Sequence, residues 1–227
     1  IQHASGRVLK AMNREGDRET LTPGHNRVDN CYIHDFAEVF QTYAGGIHLN
    51  GVGNVASHNE ICYTPHTALF YVGNDNVIEY NYIHDVVQHS RDAGAVYAGF
   101  DWAGQGNVVR YNVLENVGSR EMPPEGIYWD DGISGQTAYG NALFNVGHQA
   151  FEVGGGFSNV VEHNLIVDCG VPLEYDDRNR DGVVNKGWCH ADVDTREGRQ
   201  WKIVKKMPFR NDLWASRFPM LAQIRED

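Results

Sequence analysis

The chain has 227 residues and carries 30 Asp and Glu against 19 Lys and Arg, a formal net charge of −11. A field of that sign repels nucleic acid and anionic membranes, and no apolar run approaches the ~20 residues of a membrane span. Any secretory leader lies upstream or has been removed, because no basic-then-apolar stretch opens the sequence. The only lysines are Lys10, Lys186, Lys202, Lys205 and Lys206, so the long middle of the chain has none. The cysteines Cys31, Cys62, Cys169 and Cys189 are too scattered for a disulfide framework or a zinc site. Buried free thiols are the expectation, with a Cys169–Cys189 bridge as the sharper alternative.

Residues 1–25 carry no repeat and read as a leading segment. From residue 26 a ten-residue block recurs six times: NRVDNCYIHD at 26, NVASHNEICY at 54, NVIEYNYIHD at 76, NVVRYNVLEN at 107, QTAYGNALFN at 136 and NVVEHNLIVD at 159. Column three is Val28, Ala56, Ile78, Val109, Ala138 and Val161; column eight is Ile33, Ile61, Ile83, Leu114, Leu143 and Ile166. Column one is Asn except at Gln136, and column six is Asn except at Cys31. A short strand with one apolar side cannot bury it alone, so successive turns must stack and share a core. Five residues separate the apolar columns, an odd number, so the strand bends between them. Asn in column six, tolerant of left-handed backbone, is the expected bend, and stacked Asn side chains can form a ladder along the axis.

A second strand follows each block, at 45–51, 67–73, 93–99, 125–131, 149–155 and 171–177. If Ile47, Leu69, Val96, Ile127, Phe151 and Leu173 face inward, alternation turns His48, Phe70, Tyr97, Tyr128, Glu152 and Glu174 outward. The next outward column is Asn50, Val72, Gly99, Asp130, Gly154 and Asp176. Residues 26–182 are therefore predicted to form an all-β, right-handed parallel β-helix of about six turns. Residues 183–227 read as an insertion or cap with short helices, one starting at Asn211 or Asp212. Solenoid ends need covering, so further turns of the same protein are expected at the ends.

The outward face of the second strands, with the loop edge at Asp92, gathers the chemistry. Asp101, Asp130, Asp131, Glu152 and Glu174 are interleaved with Tyr97, Trp102, Tyr128 and Trp129. Rings stack on sugar C–H faces, while carboxylates bind hydroxyls and supply acid and base. His48, Tyr97, Asp101, Trp102, Tyr128 and Glu174 are the expected substrate-binding residues. Turns stack ~4.8 Å apart and a two-residue step adds ~6.6 Å, which puts Asp130 and Glu152 roughly 8 Å apart. That falls in the ~6.5–9.5 Å of an inverting acid/base pair, whereas Asp101 and Asp131 come nearer the ~5–5.5 Å of a retaining pair. Gly99 and Gly154 should leave open space beside Asp130. His34 and His84 share a column and read as structural, and the histidines form no spaced metal pair. Asp177, Asn179 and Asp181 before Gly182 match the start of a calcium loop, although Trp188 replaces its closing Glu. Calcium is thus the one metal the sequence suggests, and no cofactor is required.

RDAGAVYAGFDWAGQGNVVRYN at 91–112, GIYWDDGISG at 126–135 and DDR at 176–178 resemble the right-handed β-helix carbohydrate-active enzymes of the pectate-lyase-like superfamily. The likeness is nearest to glycoside hydrolase family 141, which holds α-L-fucosidase and xylanase activities, and it covers about residues 26–180. It implies a secreted, periplasmic or surface enzyme that hydrolyses plant or microbial polysaccharide or oligosaccharide. Its catalytic carboxylates would be Asp92 and one of Asp130 and Asp131, a different partner for Asp130 than Glu152. Two other readings compete. A polyuronate lyase would need Arg91, Arg110, Arg120 or a histidine as base. A non-catalytic carbohydrate-binding solenoid would need no base at all.

Overall fold

The computed structural model describes residues 16–118, 121, 123–176 and 198–224. Three parallel six-stranded sheets take one strand each from every turn. The first stacks β1 (Arg27–Asp29), β4 (Val55–Ser57), β7 (Val77–Glu79), β10 (Val108–Arg110), β13 (Thr137–Tyr139) and β16 (Val160–Glu162). The second stacks β2 (Tyr32–His34), β5 (Glu60–Cys62), β8 (Tyr82–Val86), β11 (Val113–Val117), β14 (Ala142–Val146) and β17 (Leu165–Val167). The third stacks β3 (Ile47–Val52), β6 (Leu69–Asn74), β9 (Gly94–Gly99), β12 (Glu125–Asp130), β15 (Gln149–Gly154) and β18 (Val171–Asp176). The chain is a three-sided parallel β-helix of six rungs.

The predicted columns are the observed register. Val28 pairs with Ala56, then Ile78, Val109, Ala138 and Val161 follow. Ile33 starts the same succession for column eight, through Ile61, Ile83, Leu114, Leu143 and Ile166. Between the ends both columns are buried without measurable exposure. Each rung covers the apolar side of its neighbour, which is why the block repeats.

The bend lies one residue earlier than expected. Column five, namely Asn30, His58, Tyr80, Tyr111, Gly140 and His163, takes the left-handed conformation, with φ between 53° and 67°. Column ten does the same at Asp35, Tyr63, Asp85, Asn116, Asn145 and Asp168. The residue before each block, from His25 through Gly53, Asp75, Gly106 and Gly135 to Ser158, does so too. Every rung thus has three left-handed residues at corresponding places, the column-ten one lying just inside the end of the strand in β8, β11 and β14. The column-six Asn returns to extended backbone, and its side chain, freed from making the bend, does the bonding along the axis. Asn59 Oδ1 accepts the Cys31 N–H at 3.0 Å, and Asn81, Asn112, Asn141 and Asn164 each accept from the Asn one rung earlier. A second ladder runs through Asn26, Asn54, Asn76 and Asn107. It is interrupted at Gln136, whose amide instead donates to the Gly104 and Ser134 carbonyls, and resumes where Asn159 accepts the Gln136 N–H.

The described C-terminal part forms α1 (Arg199–Val204), α2 (Asp212–Arg217) and α3 (Pro219–Ala222). Asn211 caps α2 by accepting the Trp214 N–H at 2.9 Å, as its residue type predicted. Trp201, Val204, Trp214, Phe218 and Leu221 bury themselves against Ala103, with Leu21, Trp102 and Phe157 at the margin. This segment lies along the flank of the solenoid, where it props the loops that leave the third sheet. Cys31, Cys62 and Cys169 are free thiols. Cys189 and the calcium-loop residues Asp177, Asn179 and Asp181 lie outside the described residues.

Candidate functional site

The outer face of the third sheet follows the predicted alternation. His48, Phe70, Tyr97, Tyr128, Glu152 and Glu174 are register partners in one column across six rungs. The first four form a continuous row of rings, with centroid separations of 4.8, 5.6 and 5.3 Å. His48 is held in that row by accepting the Gly45 N–H at its Nε2. The last two rungs replace rings with carboxylates, so a row of rings, stacked at His48–Phe70 and edge-on beyond, runs into an acidic end.

At the junction sits a cluster of phenols and carboxylates. The Tyr97 hydroxyl donates to Asp130 Oδ2 at 2.8 Å. The Tyr128 hydroxyl lies 3.0 Å from Asp130 Oδ1 and 3.0 Å from Asp92 Oδ1. A phenol has one proton to give, so Tyr128 serves one carboxylate at a time or receives a proton from the other. Asp92, itself left-handed with φ 52°, reaches in from the loop before β9. Burial, and next the charge of Asp130, push the Tyr97 hydroxyl up, with smaller contributions from Asp131 and Asp92. It therefore stays a donor.

Two glycines shape this cluster. A Cβ on Gly99 would stand 3.0 Å from the Tyr97 hydroxyl oxygen and 3.1 Å from the Asp130 Cβ. The space expected beside Asp130 is therefore filled by the Tyr97–Asp130 contact itself. A Cβ on Gly94 would meet the Tyr128 Cβ at 2.6 Å.

Glu125 is the member that sequence reasoning missed. It is the register partner of Gly94, and its Oε2 accepts the Ala93 N–H at 3.1 Å. Burial, reinforced by the charges of Glu152 and then Asp92 and opposed by the Ala93 N–H, pushes it up to about 8. It therefore carries a proton at neutral pH. Strict alternation from Ile127 points Glu125 at the core. The strand breaks that parity at Gly126, whose missing Cβ would press on the core residue Leu143. An acidic residue opening an otherwise apolar strand was the available signal.

Other expected members separate from the cluster. Asp101 is buried and paired with Arg18 at 2.9 Å, and it also accepts the Ala103 N–H. Burial raises it while Arg18 pulls it down. Trp102 donates its backbone N–H to Gln200 and packs on Trp201 and Phe157. Asp131 is buried and left-handed at φ 42°, and its carbonyl accepts the Gln200 amide at 2.8 Å. Trp129 faces inward and donates to the Tyr71 hydroxyl within the core. Asp101 and Trp102 thus anchor the loop under α1, and Asp101, which the sequence reading paired with Asp131, has Arg18 as its ion-pair partner. Glu152 stays on the face, and Glu174 accepts the Gln149 amide at 2.7 Å. Asp130 and Glu152 are each only 7% exposed, so the acidic end is far more enclosed than alternation alone suggested.

No family model, no curated protein and no solved structure matches the chain.

Proposed function

We propose that the chain is a glycoside hydrolase acting outside the cytoplasm on plant or microbial polysaccharide or its oligosaccharides, with no cofactor required. The observation that carries this reading is the single Tyr128 hydroxyl held between Asp92 and Asp130. Asp130, oriented at both oxygens by phenols, acts as the nucleophile that attacks the anomeric carbon. Asp92, free of the strand and mounted on a loop, delivers the proton to the leaving oxygen and later activates water. Asp92 regains its proton from that water, and Glu125, protonated at neutral pH, stands beside the pair as a neutral neighbour rather than a further charge. The ring row from His48 to Tyr128 carries the sugar chain toward the acidic end.

Each oxygen lies 3.0 Å from the same hydroxyl, so their separation cannot exceed twice that distance. That bound on the two nearest oxygens is compatible with the ~5–5.5 Å of a retaining pair. The resemblance to glycoside hydrolase family 141 agrees with this choice of residues. The test is a panel of neutral and acidic glycans read for new reducing ends, with the anomer of the first product followed by NMR. Retained configuration and its loss in Asp130→Asn support the reading. Ultraviolet absorbance of unsaturated products would replace it with a lyase, and glycan binding without turnover would replace it with a binding solenoid.

A further inference from the structure

We propose that Glu60, Cys62 and His84, on the outer face of the second sheet, bind a borderline-soft divalent cation of the zinc type. The site is distinct from the acidic cluster on the third sheet. Glu60 and Cys62 lie two residues apart on β5 and so share one face, and His84 on β8 is the register partner of Cys62. Their ligating atoms, one carboxylate oxygen, Sγ and one imidazole nitrogen, all lie within 4.8 Å of one another. His84 Nε2 is 3.3 Å from Glu60 Oε1. Bonds of ~2.0–2.1 Å to nitrogen and ~2.3 Å to sulfur in tetrahedral geometry set donors roughly 3.4–3.7 Å apart. The nitrogen–oxygen edge is already close to that length, and side-chain torsion closes the edges to sulfur.

A second observation points the same way. His84 Nδ1 lies 2.7 Å from Asp85 Oδ2. A carboxylate on Nδ1 holds a proton there and frees Nε2 to turn its lone pair on a cation shared with Glu60, the arrangement that orients metal-bound imidazole. The left-handed Asp85, with φ 51°, folds its carboxylate back onto the residue before it. The neighbourhood is also anionic. Burial first, then the charges of Glu60, Asp35 and Asp85, hold the Cys62 thiol protonated in the empty site, with the Tyr32 hydroxyl opposing. A dication cancels that field, and Cys62 coordinates as thiolate by releasing its proton to solvent. Three protein donors leave a fourth position for water. Tyr32, 48% exposed, stands over the sulfur with its hydroxyl 3.8 Å from Sγ and must swing aside for entry.

The test titrates the reduced, metal-free 227-residue chain with Co²⁺. One equivalent should produce a thiolate-to-cobalt charge-transfer band and the visible bands of a four-coordinate ion, and Zn²⁺ should displace both. Cys62→Ser should abolish the charge-transfer band, and His84→Gln should weaken Zn²⁺ binding at least tenfold. Asp85→Asn should weaken it ~10–100-fold, as loss of an outer partner does. The double variant Cys31→Ser/Cys169→Ser should keep the band unchanged. Circular dichroism checks each fold, and the surface change Glu60→Gln, which should also weaken binding, decides the matter if Cys62→Ser does not fold. A parent chain with no thiolate band overturns the proposal, as does unchanged binding in Cys62→Ser or, where that variant does not fold, in Glu60→Gln.

Discussion

The first and third sheets are wound from the same rungs yet read in opposite ways. Along the first, the inward column repeats aliphatics and the position just before each strand repeats Asn or Gln, although the outward column, Asp29, Ser57, Glu79, Arg110, Tyr139 and Glu162, varies. Along the third, the outward column changes at almost every rung, from His48 through Phe70, Tyr97 and Tyr128 to Glu152 and Glu174. A position that stacks on its own copy must suit that copy, so repetition marks the fold. A position facing solvent is released from that demand, so outward columns are free to vary, and on the third sheet that freedom gathers rings and carboxylates in one row.

The largest effect should come from breaking the variable side. Asp130→Asn keeps the shape but removes a charge and a proton site. Turnover of whichever glycan the screen identifies should fall ~10²–10⁴-fold with the melting temperature nearly unchanged. A loss under tenfold removes Asp130 from the chemistry. Breaking the repetitive side costs stability instead. Ile83→Ala, at a fully buried column-eight position, should destabilise by ~2–5 kcal/mol in denaturant unfolding.

Glu125 sharpens the contrast through pH. Its folded value is raised to about 8 from an ordinary 4.5. Across that window the folded chain holds a proton that the unfolded chain has released. Stability therefore falls as pH rises from about 4.5 to about 8, by up to about 1.4 kcal/mol per pH unit, and levels off above. Glu125→Gln should flatten the slope, and thermal melts at pH 5, 7 and 9 would show it; an unchanged slope assigns it to another group. The Asn ladder gives a comparable loss by another route. Asn81→Ala strips the Asn59 N–H and the Ala56 carbonyl of partners, at ~1–3 kcal/mol. Val72→Ser, on an outward position 45% exposed, should shift stability by less than ~0.5 kcal/mol. A large loss there would show that the face is packed against something.

The repeat made the fold legible. Columns three and eight fixed the register before any coordinates, because in a stacked solenoid sequence alignment and spatial alignment coincide. Strand alternation also placed Tyr97, Tyr128, Asp130 and Glu152 on one face. It failed at Glu125, where the parity breaks at Gly126, and at Trp129, where the inward reading of Ile127 already implied burial. The bend was assigned to column six because Asn tolerates left-handed backbone. The structure gives that role to column five, including Tyr80, Tyr111 and His163, and reserves Asn for the bonds only it can make. Asp101, Trp102 and Asp131 have partners that strand alternation could not supply. Gln200, far along the chain, binds Trp102 and the Asp131 carbonyl, and no local pattern announces a contact 98 or 69 residues distant.

The vertices differ in how much chain they tolerate. Between the first and second sheets the connection is two residues in all six rungs, one left-handed and the other Asn in every rung but the first, which has Cys31. Between the second and third sheets the same bookkeeping ranges from two residues, Gly147 and His148, to the long stretch 35–46. Between the third sheet and the next block it runs from Gly53 and Asn54 alone to residues 100–107. Length can therefore be gained at two corners of the triangle and not at the third, and those two corners border the sheet that carries Asp130. A lineage built on this coil can remodel the rim of its recognition face by insertion while the opposite corner keeps time for the winding. Descendants with altered specificity should differ in those two sets of loops and share the two-residue corner.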